Sequence, residues 1–242
     1  TDENLLLSSG TASGKTEAAF LPVLTQLWEN PSASVGVLYL SPLKALINDQ
    51  FERLEGLLEE AAIPVTKWHG DASAAAKKRV MKRPQGVIQT TPESLESMLM
   101  HNSSGAYRLF SDLRFIIIDE MHYFMDNDRG LQLLCLLERL ARLIGYHPRR
   151  IGLSATLGGC TSAVQWLNTD SGRDCIVPKC HEKGRSLRLS VRFFPIEEKI
   201  PNSDSKVLLQ NYYDYLFEST WNKRCILFSN SKGEVEENIA HP

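Results

Sequence analysis

The sequence predicts an α/β protein whose mostly parallel sheet is covered by helices on both faces. Short apolar runs alternate with longer segments in which apolar residues recur at helical spacing. The apolar runs are nearly continuous, which is typical of parallel strands buried on both faces. Predicted strands span residues 5–7, 35–40, 64–68, 86–90, 115–118 and 150–154. Predicted helices span residues 17–24, 43–58, 73–81, 93–100, 130–144 and 162–167.

A loop of small residues between the first strand and the first helix supports this fold. It ends in Gly14-Lys15-Thr16, which is typical of a phosphate-binding loop. Small residues let backbone N–H groups surround phosphate oxygens, and the following helix adds its partial positive charge. We expect Lys15 to reach the β- and γ-phosphates and the Thr16 hydroxyl to bind Mg²⁺. The residues expected to bind the nucleotide are Ser9, Gly10, Thr11, Ala12, Ser13, Gly14, Lys15 and Thr16.

Two positions depart from the general pattern, because Ser9 stands where such loops carry a glycine and Ala12 stands where many of them carry another. A Gly/Ser-rich turn with a chance Lys-Thr therefore remains an alternative for this segment alone. The acidic segment described next argues against that alternative.

Asp119-Glu120-Met121-His122 follows the most apolar predicted strand. A carboxylate at the end of such a strand is where a phosphate-loop enzyme needs its second Mg²⁺ contact, so Asp119 is the candidate. Glu120 is the candidate general base for the attacking water. His122 is expected close to the γ-phosphate. An acidic turn at the sheet edge is the structural alternative.

Composition limits the possible partners. The 242 residues carry a net charge of −2, so any nucleic-acid contact must be local to one face. No apolar run approaches the length of a membrane span, and no segment resembles a signal peptide. Five cysteines at wide spacings are expected to be reduced thiols of a cytoplasmic protein, although Cys175, Cys180 and His181 leave a zinc site open.

The combination of motifs resembles superfamily 2 helicases of the DExH type. Asp119-Glu120-Met121-His122 is similar to their motif II. Further segments are similar to other helicase motifs in the expected order: Ser41-Pro42-Leu43-Lys44-Ala45-Leu46 to motif Ia, His69-Gly70-Asp71 to the segment after it, Thr91-Pro92-Glu93-Ser94-Leu95 to motif Ib, Ser154-Ala155-Thr156 to motif III and Phe228-Ser229-Asn230-Ser231 to motif IV. Within the superfamily, residues 17–24, 41–50, 91–96 and 149–158 resemble the large-helicase-related (Lhr) group.

This resemblance implies a RecA-like ATP-binding lobe, a nucleic-acid-dependent ATPase motor and the cofactors ATP and Mg²⁺. It implies that Ser154 and Thr156 relay the nucleotide state to the nucleic-acid face. It also implies contacts to the backbone of single-stranded DNA or RNA by Pro42, Lys44, Thr91, Pro92, Glu93 and Asn230. Simple structural roles remain alternatives: the prolines would start helices, His69 would be a surface histidine, and the Lys77-Lys78-Arg79 run would be a solvated helix face.

The sequence changes character after about Gly172, where polar, turn-forming residues predict a linker. We expect residues 1–185 to form the first RecA-like domain and residues 186–242 the truncated start of a second. The second part should contain strands at 187–193 and 225–228 and helices at 206–221 and 232–240. The chain is expected to be a fragment that lacks the adenine-recognition segment and the catalytic arginine of the second lobe.

Two other functions remain open at this stage. One is a phosphate-loop ATPase of a transporter or protein-remodelling machine, although no Ser-Gly-Gly-Gln signature is present. The other is a nucleotide-binding module without motor activity. Stimulation of ATP hydrolysis by single-stranded nucleic acid would distinguish a motor from both.

Overall fold

A computed structural model of the chain describes residues 2–10, 14–59, 61–155, 160–178, 189–194 and 205–240. The chain divides into two compact units, Thr1–Lys183 and Gly184–Pro242. None of the helices within the described ranges combines the length and the apolar character that crossing a membrane requires.

The first unit is built on a seven-stranded sheet in which every described strand pair is parallel. Its strands are β1 (Asn4–Ser8), β2 (Val35–Leu40), β3 (Val65–Trp68), β4 (Gly86–Thr90), β5 (Phe115–Ile118), β6 (Arg149–Ser154) and β7 (Cys175–Ile176). They lie in the order β3-β4-β2-β5-β6-β1-β7. The six strands predicted from sequence are confirmed. β7 falls where a linker was expected, and it pairs with β1 over only two residues, too few for a periodic signal.

Seven α-helices are described in this unit: α1 (Lys15–Glu29), α2 (Lys44–Glu59), α3 (Ala74–Lys82), α4 (Pro92–His101), α5 (Ser103–Phe110), α6 (Asp128–Ile144) and α7 (Cys160–Asn168). A 3₁₀ helix spans Met121–Tyr123. The sequence did not predict α5, which begins Ser-Ser-Gly. The Asn102 side chain caps this helix by accepting a hydrogen bond from the Gly105 N–H at 3.0 Å, and Leu109 and Phe110 anchor it in the core.

Helices cover both faces of the sheet, as predicted. Successive residues of β5 point to opposite faces. Ile116 and Ile118 belong to a core cluster that includes residues of α4, α5, α6 and α7. Phe115 and Ile117 belong to a second cluster formed with α1 and α2. Helices therefore cover both faces of the strands, and functional side chains are expected in the loops at the carboxyl ends of the strands.

The packing of α6 corrects one sequence expectation. The leucine pattern of this helix predicts that Leu131 packs in the core together with Leu133, Leu134, Leu136, Leu137 and Leu140. The Leu131 side chain is instead 63% exposed, and Leu134 is half-buried. Leu133, Leu136, Leu137 and Leu140 are buried. Leu131 lies in the first turn of α6, on the side that faces away from the sheet.

The second unit contains α8 (Ser205–Thr220) and α9 (Lys232–Ala240), and both helices were predicted. The two predicted strands are wrong where the structure describes them, because residues 189–194 and 225–228 have no strand conformation. A strand requires a partner for its backbone groups, and no strand is described in this unit to provide one. Instead, the Phe194 ring packs on Tyr212 and Tyr215 of α8, with centroid distances of 5.5 Å.

Candidate functional site

Three neighbouring strands bring the predicted nucleotide-binding segments together. β1 and β5 flank β6, and the pairing register places Ser8 beside Ser154 and Ile118 beside Gly152. The phosphate loop follows β1, the acidic pair follows β5, and β6 ends at Ser154. Because the strands are parallel, all three segments lie at the same edge of the sheet.

The phosphate loop leads directly into α1. Gly14 precedes this helix with a left-handed backbone conformation (φ +81°, ψ +20°), which explains why a glycine is needed there. The Lys15 ammonium donates hydrogen bonds to the carbonyl oxygens of Ser9 and Gly10, at 2.6 and 2.8 Å. Thr16 lies in the first turn of α1. Thr11, Ala12 and Ser13 lie outside the described residues, so their predicted contacts with phosphate remain predictions.

Asp119 is buried at the end of β5, with 6% of its surface exposed. Burial raises the pKa of this carboxyl group, while a hydrogen bond from the Tyr39 hydroxyl and the charge of Lys15 oppose the rise. A raised pKa indicates a carboxylate that lacks enough compensating positive charge. A cation at this place would favour the ionised form, which is consistent with the predicted role of Asp119 as a metal ligand.

Glu120, His122 and Ser154 form a cluster that joins motif II to motif III. The Glu120 Oε2 atom lies 3.3 Å from His122 Nδ1, and the Ser154 hydroxyl lies 3.4 Å from the same nitrogen. Glu120 has a left-handed backbone (φ +45°, ψ +47°), an unusual conformation for a residue with a side chain. This turn directs the chain into the 3₁₀ helix that carries His122. Thr156 lies outside the described residues.

A groove of about 610 Å³ opens at the other half of the same sheet edge, beyond the ends of β2, β3 and β4. It is lined by Pro42, Leu43, Lys44, Trp68, His69, Gly70, Lys77, Thr91, Glu93, Ser94, Ser97 and Arg129. Four predicted nucleic-acid contacts, Pro42, Lys44, Thr91 and Glu93, therefore share this groove. Pro92 does not line it, because this residue is buried at the first position of α4, where proline favours helix initiation.

Sequence comparison assigns the chain to a family. Residues 1–163 match the DEAD/DEAH box helicase family. The chain belongs to this family. Its core is the RecA-like lobe of such helicases, since the chain superimposes with a TM-score of 0.75 on a structure of the Mycobacterium smegmatis helicase Lhr bound to ssDNA and AMP-PNP. That pair is 29% identical, and the match covers 98% of this chain and 31% of the Lhr chain.

Other relatives point to the same group of helicases. The chain is 33% identical to the ATP-dependent helicase Lhr-Core of Methanocaldococcus jannaschii, over 97% of this chain and 29% of that protein. It also matches a structure of the helicase MrfA bound to DNA and AMPPNP, with 25% identity and a TM-score of 0.74, over 99% of this chain and 33% of the other. The chain thus spans about a third or less of the length of these relatives.

Two further cationic side chains, Lys77 and Arg129, line the groove beyond β2, β3 and β4, and neither belongs to the helicase-like motifs. The Arg129 guanidinium binds Glu93 at 2.7 Å and donates a hydrogen bond to the carbonyl oxygen of Pro42. Although burial raises the pKa of Glu93, hydrogen bonds led by Arg129 lower it overall. The Lys77 ammonium donates to the carbonyl oxygen of His69 at 2.5 Å. Arg129 lies outside the motifs, so only the fold could reveal it. Lys77 belongs to the Lys77-Lys78-Arg79 run, for which the sequence left open a solvated helix face or a nucleic-acid contact.

His69 is buried in the groove wall and is not a surface histidine. Neither ring nitrogen has a hydrogen-bond partner among the described residues. Burial lowers the pKa of His69, and the charges of Lys44 and Lys77 lower it further, while Asp71 raises it. The neutral ring is therefore favoured near physiological pH.

Asn230, the last predicted nucleic-acid contact, belongs to the second unit. Its side chain is exposed just before α9, and its backbone N–H donates to Glu234 Oε2 at 2.9 Å. Its contact with a strand therefore stays a prediction.

Proposed function

We propose that this chain is the part of an ATP-dependent helicase or translocase that binds ATP and single-stranded nucleic acid. The whole enzyme would move along single-stranded DNA or RNA. One observation carries the proposal. The segment after β1, the acidic pair after β5 and Ser154 at the end of β6 lie at the carboxyl end of the sheet. The cation-bearing groove opens at the same end of the sheet, beyond β2, β3 and β4. Structures of relatives bound to DNA and an ATP analogue support the same assignment.

The nucleotide half provides the groups that phosphoryl transfer requires. Lys15 would exchange the carbonyls of Ser9 and Gly10 for phosphate oxygens. The Thr16 hydroxyl and the Asp119 carboxylate are oxygen ligands of the kind that Mg²⁺ prefers. Burial raises the pKa of the Asp119 carboxyl group, and a cation bound beside it would favour the ionised form. Once bound there, Mg²⁺ would supply neutralisation of the developing phosphate charge.

Glu120 would act as the general base in this scheme. Its carboxylate would accept the proton of the attacking water, and His122 Nδ1 lies 3.3 Å from Glu120 Oε2. Ser154 touches the same ring at the end of β6. A displacement of Glu120 on hydrolysis would therefore be transmitted to the loop after β6, which is the proposed coupling role of Ser154 and Thr156.

The groove would hold the sugar–phosphate backbone of a strand. Lys44, Lys77 and Arg129 supply positive charge, and Thr91 and Ser94 supply hydroxyl groups. Such groups bind phosphates without distinguishing bases, as a motor that moves over any sequence requires. Lys44 forms an ion pair with Asp71, and Arg129 forms one with Glu93. Binding of a nucleic-acid strand to these cations would weaken both ion pairs.

The second unit would be the opening part of a second RecA-like lobe. Its apolar residues Leu189, Val191 and Phe193 alternate with polar ones and are each more than four-fifths exposed. This is the pattern of a strand that has one apolar face to cover. ATP-driven closure of two lobes around the nucleotide would then move the nucleic-acid strand. We also propose a cytoplasmic location for the protein.

The proposal is tested by two binding measurements on the 242-residue chain. A fluorescent ATP analogue with Mg²⁺ should bind to the wild-type chain, and Lys15→Ala should abolish binding because it removes the loop's cation. Lys78→Ala, on α3 and outside the groove, is the matched control. A labelled single-stranded oligonucleotide should bind with an affinity that falls as salt rises, with a log–log slope of roughly −2 to −4.

The outcomes separate the competing functions. A chain that binds nucleotide but no oligonucleotide at low salt would indicate an ATPase of a transporter or a protein-remodelling machine. Undiminished binding of the ATP analogue to the Lys15→Ala chain would reject the phosphate-loop assignment.

A further inference from the structure

A buried tyrosine in the centre of the sheet touches the acidic pair. Tyr39 lies on β2, next to β5, and its side chain is fully buried. Its ring packs at 5.7 Å on the ring of Phe20, which belongs to α1, the helix that follows the phosphate loop. The ring of Tyr39 is thus fixed between the sheet and the nucleotide-binding helix.

The hydroxyl of Tyr39 is directed at the carboxylate of Asp119. It donates a hydrogen bond of 2.5 Å to Asp119 Oδ2, while Asp119 Oδ1 accepts the Glu120 N–H at 3.0 Å. Each carboxylate oxygen therefore has one fixed donor and keeps lone-pair capacity for another partner. Two donors on different atoms fix both the position and the rotation of the carboxylate plane.

The sequence pattern did not single out Tyr39, since the predicted strand 35–40 is only a buried apolar run. A phenylalanine would fill the same space, so the hydroxyl is the feature that requires explanation. A hydrogen bond to a carboxylate is about twice as strong as one between neutral groups. Donors of this kind, which orient a ligand without touching the metal, commonly tune metal affinity.

We infer that Tyr39 is a positioning residue, which orients Asp119 for Mg²⁺ and ties that orientation to α1 through Phe20. The inference rests on the proposed function, because it assumes that Asp119 serves the Mg²⁺–nucleotide site. The contact that carries the inference is the one from the Tyr39 hydroxyl to the Asp119 carboxylate.

The test uses Tyr39→Phe in the 242-residue chain and measures binding of a fluorescent ATP analogue, first in EDTA and then as Mg²⁺ is titrated in. The Mg²⁺ midpoint should rise by about tenfold, the lower end of the range for loss of a partner that orients a metal ligand. Binding in EDTA should be unchanged, because the phosphate loop keeps all its groups.

Tyr146→Phe is the matched control. The Tyr146 hydroxyl donates at 3.0 Å to the carbonyl oxygen of Leu113, beside the amino end of β5, which is the opposite end from Asp119. This variant loses one hydroxyl bonded to the chain before the same strand and should keep the wild-type Mg²⁺ midpoint.

A double-mutant comparison isolates the route of the effect. In an Asp119→Asn background, Tyr39→Phe should cause no further change in the Mg²⁺ midpoint, because its target is gone. Three results would overturn the inference: an unchanged midpoint in Tyr39→Phe, an equal loss of binding in EDTA, or a Tyr39→Phe chain that fails to fold while Tyr146→Phe folds. A wild-type chain whose nucleotide binding ignores Mg²⁺ would instead reject the proposed function.

Discussion

Two residues at the nucleotide edge hold unusual backbone conformations. Gly14 and Glu120 both have positive φ, at +81° and +45°. Glycine adopts this region freely, whereas a residue with a side chain stores about 1–3 kcal/mol of strain there. Two hydrogen bonds hold the Glu120 backbone in this turn: its N–H donates to Asp119 Oδ1 at 3.0 Å, and its carbonyl oxygen accepts from the Tyr123 N–H at 2.9 Å.

Gly14→Ala provides a test of the backbone requirement in the phosphate loop. A Cβ added at Gly14 would meet its nearest described atom, Glu17 Oε2, at 3.9 Å, so the cost arises from the left-handed backbone and not from a clash. We expect the free energy of unfolding to fall by about 1–2 kcal/mol and nucleotide binding to weaken. Urea titration and binding of the ATP analogue measure the two effects.

Gly56→Ala is the matched control for that substitution. Gly56 lies inside α2, where an added Cβ meets no described atom within 4 Å. This change should raise the free energy of unfolding by about 0.5–1 kcal/mol, since alanine favours helix. Equal effects of the two substitutions would show that the conformation of Gly14 is not required.

At the scale of elements, the site depends on which strand stands next to which. The order β2-β5-β6-β1 puts β5 beside β2, and this adjacency brings Tyr39 to Asp119. Sequence reasoning located β1 to β6 because the signals of these strands are local. It could not give strand order, and therefore missed Tyr39, whose partner is 80 residues away.

The positions of other side chains could not be predicted for related reasons. Leu131 shares the leucine pattern of α6, and only the orientation of that helix against the sheet shows that its side chain is exposed. Arg129 and Lys77 enter the groove because the starts of α6 and α3 are brought beside the ends of β2 and β3. Local periodicity records the element, whereas these contacts arise between elements.

Lys77 allows the groove to be tested at this scale. Lys44 pairs with Asp71 and Arg129 with Glu93, whereas the described partners of Lys77 are the carbonyl oxygen of His69 and the Trp68 ring, neither of which is a carboxylate. Its charge is thus the most readily given to a phosphate. Lys77→Ala should weaken oligonucleotide binding and reduce the slope of log affinity against log salt by about 1. Lys78→Ala changes the same charge on an exposed position of α3 and should leave the slope unaltered, so equal slopes in both variants would remove Lys77 from the strand path.

The whole molecule combines a unit with an enclosed sheet and a unit whose apolar segments are open to solvent. In the first unit, both faces of the central strands are covered by helices. In the second, Ile226 and Phe228 are at least 80% exposed, as is the alternating segment 189–193. Segments with exposed apolar side chains and no described strand partner have little to stabilise them, so the two units should differ in local stability.

Amide hydrogen exchange of the intact 242-residue chain, read by mass spectrometry, tests this difference. Peptides covering 189–193 and 225–228 should exchange fast, because exchange is slowed by hydrogen bonding and burial, and the described residues there have neither. Peptides from β2 and β5 should be strongly protected. β3 is the internal control. It is a four-residue strand that is outermost in the sheet and pairs only with β4, so it should show intermediate protection. If the two segments of the second unit were protected as well as β2, they would be paired strands in the isolated chain. That result would reject the proposal that the second unit is the opening part of a second RecA-like lobe.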